Sequence, residues 1–189
     1  MVRLLNLMLY QIGWFACVLG AAYDFPWLGV ALALFLVGVH LSLTNDRTRQ
    51  TSLLWVAFIV GLVVDSTLLA IGVYRFPSGM IVDWLPPLWM SVLWIQFATT
   101  FQYSFFWLSK RYVLSSLLGF IGAPLAFLGG EKLGAVSFCE PRLTNLLALG
   151  SLWALAIPLL IYASDRIYRT GAIAASYRGF QRFSSNESE

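Results

Sequence analysis

The chain has 189 residues, 59% of them hydrophobic and only 11% charged, with a mean hydropathy of +0.77 and a formal net charge of +3. Soluble domains carry roughly 25% charged residues, and a soluble fold of this length has too little interior to hide so much apolar surface. Composition therefore excludes a water-soluble globular domain and makes lipid the solvent for most of the chain.

A helix needs about 20 mainly apolar residues to cross the hydrocarbon of a bilayer. Six stretches meet that length, at residues 4–22, 27–44, 52–74, 86–107, 112–130 and 143–163. The segments between them are punctuated as loops should be. "YDFPW" holds Pro26, "TNDRTRQT" is polar, and "YRFPSGMIVDWLPP" holds Pro77, Pro86 and Pro87. "SKR" makes a short basic turn, and "EKLGAVSFCEPR" is mixed. The end of the fifth span is the least defined boundary, because "GGEKLGAVSF" also suits a continuing helix.

The first span begins after Arg3 and ends in the small residues Gly20 to Ala22, which imitates a signal peptide. Its length suits a membrane anchor better, and five more spans follow, so the N-terminus is expected to stay attached. Gly13, Cys17 and Gly20 lie on one side of this span, where small residues let helices approach closely. Gln11 and Asn6 are its polar residues. The second span carries the sole histidine, His40, four residues from the end of its helix, where a positive charge suits the helix dipole. As a base it would need a partner, and Asp46 in the adjacent loop is the candidate. A packed or interfacial histidine is the plainer reading.

The third span, "GLVVDSTLLAIG" at its centre, contains a carboxylic acid, Asp65. A charge there costs about 2.5–3.5 kcal/mol even on the lenient insertion scale, so something must compensate. With spans ending at 74 and beginning at 86, Asp65 lies about 14 Å and Gln96 about 15 Å from the same surface. Gln96 also starts a stripe with Thr99, Thr100 and Tyr103, spaced to share one helix face. A desolvated carboxyl in that layer is expected to be largely neutral and to donate a hydrogen bond, with Gln96 the candidate acceptor. Two readings stand: glue between helices, or a functional proton carrier, acid–base group or headgroup contact. Gln11, His40 and Gln102 form a second polar layer with Asn6.

On the fifth span Gly119, Gly122, Ala126 and Gly130 form a small-residue side, best read as packing, and Pro124 is expected to kink it. Glu131, Asp24, Asp83 and Glu140 read as solvated loop charges. Beyond the sixth span, Arg166, Arg169, Arg178 and Arg182 alternate with Tyr and Phe, a pattern that favours anionic headgroups or simply anchors the span. The final "SSNESE" is expected to be disordered.

Orientation follows from charge. With the N-terminus inside, nine of the 12 Lys and Arg residues fall in inner segments, leaving Arg75, Lys132 and Arg142 outside. The expected fold is all-α: a polytopic membrane protein with six transmembrane helices in one bundle, N-in and C-in. Residues 1–165 make the membrane domain and 166–189 a basic cytoplasmic tail.

Several enzyme classes fail on spacing. "FPSGM" lacks the histidine of the PSGH element in lipid phosphatases, and "HLSLTND" puts Asn45, not an acid, at the HxxxxD position of glycerolipid acyltransferases. HExxH is absent, which argues against zinc intramembrane proteases. One histidine is too few for a membrane di-iron desaturase, and one deep carboxyl too few for an aspartyl intramembrane protease. Two isolated cysteines, Cys17 and Cys139, imply neither a disulfide framework nor zinc.

The segments "LLNLMLYQIGWFACVLGAA", "PLWMSVLWIQFATTFQYSFFWL" and "GAPLAFLGGEKLGAV" together resemble a bacterial inner-membrane family catalogued as domain of unknown function 2878. The likeness covers nearly the whole chain up to the basic tail. The resemblance supplies no active site, so no residue inherits a role. It does imply a setting near enzymes that modify membrane fatty acyl chains, such as cyclopropane-synthase-like methyltransferases.

The leading expectation is a helper or enzyme of membrane-lipid metabolism, with Asp65, Gln96, Thr99, Thr100, His40 and Gln11 as the candidate intramembrane polar site. A small proton-coupled transporter of three plus three helices is the alternative, with Gln11 and Gln96 in loosely matching places. A non-catalytic scaffold acting through the basic tail is the third. Membrane lipid is the expected partner, with anionic headgroups at the tail; no feature asks for a cofactor, a metal or nucleic acid.

Overall fold

Local chemistry sets the helix boundaries in the computed structural model, which describes residues 2–186, with side chains over residues 3–169. Six α-helices form among the described residues: α1 (Val2–Ala22), α2 (Pro26–Leu43), α3 (Arg47–Ala70), α4 (Leu88–Ala98), α5 (Tyr112–Leu133) and α6 (Arg142–Asn186). A 3-10 turn covers Phe106–Leu108, and two short strands are β1 (Tyr74–Arg75) and β2 (Ser137–Phe138). Pro26 opens α2, where its missing N–H costs nothing. Asp46 caps α3 by accepting from the Arg49 N–H at 3.1 Å. Gly134, in the left-handed region at φ 92, ends α5. The fifth helix thus continues three residues past the expected 130 and then stops. α6 runs on past the expected end at 163, through the expected tail to Asn186, so Ser184, Ser185 and Asn186 are helical where disorder was expected. The last three residues lie outside the described residues, and the expected headgroup contacts of Arg178 and Arg182 fall on side chains outside those described.

Five helices (α1, α2, α3, α5 and α6) are long and apolar enough to cross a membrane. Phe35, Trp55, Val113, Ile121 and Leu155 point outward, each more than half exposed. Apolar surface on this scale belongs to a chain that faces lipid, not water. Inside, α1 and α2 make a tight hairpin: a Cβ on Gly29 would lie 2.5 Å from the Ala16 carbonyl oxygen. α5 and α6 pair as closely, since a Cβ on Gly119 would lie 2.6 Å from the Trp153 carbonyl oxygen. Each of these two helices contains a proline, Pro124 and Pro158, which frees the carbonyl four residues earlier. The carbonyl freed by Pro158 belongs to Ala154, and Ser116 on α5 donates to it at 2.7 Å. The one freed by Pro124, on Phe120, lies against Gly150, where a Cβ would approach it to 2.7 Å.

The fourth expected span, 86–107, departs from expectation. α4 has 11 residues, and turns run from Thr99 to Phe105 before the 3-10 segment. The cause is local. The Thr99 and Thr100 hydroxyls bond back to the carbonyls of Gln96 (2.7 Å) and Phe97 (2.6 Å), and their N–H groups also bond three residues back. Such side-chain and 3-10 bonds compete with the α-helical ladder. Asn6 on α1 then donates to the Thr99 carbonyl at 3.1 Å. Gln96, Thr99, Thr100 and Tyr103 therefore do not share one helix face.

The two ends of the bundle differ. One, the N-terminal end, holds residue 3, the turns after α4 and the α5 start. At the other, the ribbon end, β1 pairs antiparallel with β2, Tyr74 opposite Phe138. Glu131 accepts from the Phe138 N–H at 3.1 Å and pairs with Arg142 at 2.5 Å. Expected to be a solvated loop charge, Glu131 instead staples the ribbon to α5 and α6.

Replacing Ser116 with Ala should lower the unfolding free energy in bicelles by about 0.6–1.7 kcal/mol, the range for a hydrogen bond between membrane helices. Steric trapping measures this directly. Wild-type stability in Ser116→Ala would mean that the gap left by Pro158 is filled by other means.

Candidate functional site

Asp65 sits on α3, fully buried, five residues before the helix ends. The expected span ran to 74, but α3 stops at Ala70 because Gly72 takes φ 73 and turns the chain back. The Val73 N–H bonds to the Leu68 carbonyl at 2.9 Å, and Tyr74 returns alongside its own helix. Its hydroxyl donates to one Asp65 carboxyl oxygen at 3.0 Å, and Trp94 Nε1 donates to the other at 2.8 Å. Room for the indole comes from Gly61, one turn earlier on α3, where any Cβ would overlap the Trp94 ring. Asp65 is thus an acceptor at both oxygens, and the expected bond to Gln96 is replaced by these two. Gln96 lies instead against Gly13 on α1, with Nε2 3.5 Å from the Leu9 carbonyl oxygen.

Beside this clamp is a cavity of about 330 Å³. α5 leans on α6 and stands off from α4, and the space between them is what remains open. Tyr10, Trp14 and Val18 of α1 line it, with Trp89, Met90, Leu93, Trp94 and Phe97 of α4. Phe101, Phe105 and Leu108 of the turn segment close it toward the N-terminal end, and Trp153 and Ile157 come from α6. On α5 the lining runs from Leu118 to Gly130, about 18 Å at 1.5 Å per residue. The small face of α5 therefore has two uses. Gly119 packs on α6, whereas a Cβ on Gly122 would meet nothing within 4 Å.

Both donors to Asp65 lead to the cavity wall. Trp94 stacks on Trp153, centroids 4.2 Å apart and planes at 29°, and Tyr74 stacks on Phe127 at 5.2 Å and 27°. Asp65 does not line the cavity; it positions two groups of rings that do. The indole N–H groups of Trp89 and Trp153 are buried and without a hydrogen-bond partner.

The second polar layer lies at the N-terminal end. His40 Nδ1 is 3.4 Å from Asn6 Nδ2, and the ring packs edge-on to Tyr103 at 5.2 Å. The Tyr103 and Thr44 hydroxyls are 2.6 Å apart, and Ser104 donates to Asn6 Oδ1 at 2.8 Å. Gln102 donates to Ser164 at 2.7 Å, and Tyr168 to Gln50 at 2.6 Å. Asp46, the suggested partner of His40, is held by Arg49 at 2.9 Å. Gln11 is exposed on the outside of α1, apart from all the others. Among the described residues, no three His, Cys, Asp or Glu side chains gather as metal ligands.

Sequence reasoning found Asp65 but missed Tyr74, Trp94 and Trp153. A signal was present: Trp normally collects at membrane interfaces, yet Trp94 and Trp153 lie about 9 Å and 17 Å along their helices.

Helices of this length and polarity, enclosing an aromatic cavity beside one buried acid, define a multi-pass helical membrane protein. The chain belongs to the family described as Protein of unknown function (DUF2878), whose model matches residues 3–159. No curated protein and no solved structure matches it.

Asp65→Ala would strand two buried donors, at about 1–3 kcal/mol each. Trp94→Phe in that background should then cost much less than it does alone, because its partner is already gone. A thermodynamic cycle by steric trapping checks this, and strictly additive losses would refute the clamp.

Proposed function

We propose that this protein crosses the bacterial inner membrane six times, with both termini cytoplasmic, and holds the apolar chain of a membrane lipid in its aromatic cavity. Its role would be that of a helper or enzyme in membrane-lipid (fatty acyl) metabolism. The cavity carries this reading: about 330 Å³, walled by aromatic and small side chains, among helices that themselves suit lipid. Pockets of about 300 Å³ and upward accommodate small ligands. An apolar lining about 18 Å long favours a chain over a polar solute.

Six crossings are supported by length. α4 contributes about 17 Å, and the turns and short 3-10 segment of residues 99–108 carry the chain on to the N-terminal end, where Ser104 bonds to the Arg3 carbonyl. Residues 88–108 thus have the length of a segment that crosses the roughly 30 Å hydrocarbon core. Irregular backbone at that depth is tolerated where protein covers it or a cavity adjoins it, as here. The excess of Arg and Lys toward the N-terminal end, including Arg3, Arg47, Arg49, Lys110 and Arg111, supports the orientation.

The transport reading is less well supported. A proton-coupling carboxyl needs access to a pathway, whereas both Asp65 oxygens are occupied by protein donors and Asp65 does not line the cavity. Gln11 and Gln96, the suggested matching pair, lie one outside and one inside the bundle.

Two measurements test the proposal. Gly122→Phe should fill open space without disturbing the fold, and should abolish lipid that co-purifies with wild type, as read by mass spectrometry. The same variant should fail to restore the lipid profile of a deletion strain. Equal lipid retention by both proteins would sink the cavity as the site. For topology, a reporter active only outside the cytoplasm should work in the 76–86 loop and fail at the C-terminus.

A further inference from the structure

The cavity is closed on most sides but not on all. Ala135 and Val136 seal it toward the ribbon end, and its wall on α4 and α6 is buried at Leu93, Trp94 and Ile157. The exposed part of the lining lies along one edge of α5: Leu118, which is 43% exposed, then Gly122 and Ala126, each one turn further on. On α1 the lining residues Tyr10 and Trp14 are half-buried. Residues that line a cavity and also reach the outside mark where it opens. α4 backs the cavity and α6 walls one flank, so the opening is a window between α1 and α5.

Packing holds the window apart. α5 is committed to α6 through Gly119 and Ser116. It meets α1 toward the ribbon end, where a Cβ on Gly129 would lie 3.8 Å from the Trp14 ring and one on Gly134 3.8 Å from Ala22. Two turns earlier, a Cβ on Gly122 would meet nothing within 4 Å. On the α1 edge Tyr10 leans on Phe97, with ring centroids 5.7 Å apart. Depth follows from α5, which starts at the N-terminal end. Leu118 and Gly122 lie about 9 Å and 15 Å along it, in the nearer half of a roughly 30 Å hydrocarbon core. The window therefore faces the acyl chains of one leaflet. At its foot, about 10 Å below Leu118, stand Lys110 and Arg111, both exposed and neither paired with an acid among the described residues. Phe106, Trp107 and Tyr112 beside them are exposed, and such rings settle at headgroup level.

From this we infer that one chain of an anionic glycerophospholipid enters the cavity sideways through the α1–α5 window, with its phosphate held at Lys110 and Arg111. The lipid comes from the leaflet on the N-terminal side, which the orientation proposed above makes cytoplasmic. The inference rests on the lipid-binding reading and deepens it, naming the lipid class and the route. A window at this depth lets the chain pass from one apolar surrounding to another while the headgroup stays at the interface. Neither part then has to leave the solvent that suits it. Each Lys or Arg near the surface favours an anionic lipid by about fivefold. A zwitterionic headgroup gains less, because its ammonium meets the same two cations. A second copy of this chain would cover the window with a helix face and leave the space behind it without contacts. A flexible chain fills both.

The test uses the full chain in phosphatidylcholine vesicles. They carry a trace of phosphatidylglycerol or phosphatidylcholine with a diazirine midway along one acyl chain. Photolysis and peptide mass spectrometry then show where each labelled chain lies. Phe35, on the outside of α2, is the reference for ordinary lipid contact. Relative to Phe35, the phosphatidylglycerol probe should label Phe127 in the cavity wall at least fivefold more than the phosphatidylcholine probe does. Lys110→Gln combined with Arg111→Gln should abolish that preference. Leu118→Trp combined with Ala126→Trp, at exposed positions on the window's edge, should cut Phe127 labelling by either probe and spare Phe35. Should the tryptophan variant fail to fold, the loop variant still decides, since its two side chains are exposed and unpaired. Equal labelling of Phe127 by both probes in wild type would overturn the anionic lipid and leave chain binding standing. Undiminished labelling in the folded tryptophan variant would overturn the window. A cavity unlabelled by either probe, with Phe35 labelled, would overturn both the inference and the reading beneath it. A dimer by native mass spectrometry, with Leu118 shielded from both probes, would assign the window to a second copy and overturn the inference.

Discussion

Burying a carboxyl group among apolar helices costs several kcal/mol unless both of its oxygens find donors. At Asp65 the two donors come from different parts of the chain: Tyr74 from the segment that folds back after α3, and Trp94 from α4. The acid therefore does more than join two helices. It fixes where the chain re-enters the bundle after Gly72, and it fixes the angle at which Trp94 meets Trp153. Gly61 belongs to the same device, because only a residue without a Cβ leaves the indole its place one turn from the carboxyl. Remove the acid and two aromatic walls lose their common anchor.

The cavity arises from what surrounds that anchor. α5 is drawn to α6 by Gly119 and Gly150, whose missing side chains allow backbone contact, and by the Ser116 bond to Ala154. A helix committed so closely to one neighbour cannot also close on α4. The gap is then bounded rather than collapsed, since the rings across it are held by stacking and by the Asp65 clamp. Interiors normally close to crystal-like density, so an opening of this size needs such rigid edges.

Much of this was legible in the sequence, and the failures have physical causes. Apolar length identified five long helices and placed their starts within five residues, because lipid demands that length whatever the packing, but it did not foresee that α6 runs on to Asn186, well past the expected 163. Asp65 stood out because a buried acid is costly in any arrangement. Its partners did not, because Tyr74 lies beyond the helix and only the left-handed turn at Gly72 brings it back. The polar stripe on the fourth span misled for a related reason. Thr99 and Thr100 were read as helix-face residues, yet their hydroxyls bond to the preceding turn and help to end the helix that was assumed. Gln11 and Gln96 looked alike in sequence, and only packing separates an exposed from a buried glutamine.

The break in α4 and the cavity are parts of one solution. Unpaired backbone is expensive in hydrocarbon, so a helix can stop at mid-depth only where protein groups take over its hydrogen bonds. Asn6 does so for the Thr99 carbonyl, and the layer of Asn6, His40, Thr44 and Tyr103 braces the turns that follow. Those turns carry Phe101, Phe105 and Leu108, the rings and side chain that floor the cavity. The polar layer is therefore best understood as the support of the floor. Asn6, Thr44, Tyr103 and Ser104 spend their polar groups on backbone and on one another, and that bonding holds the shape around the opening.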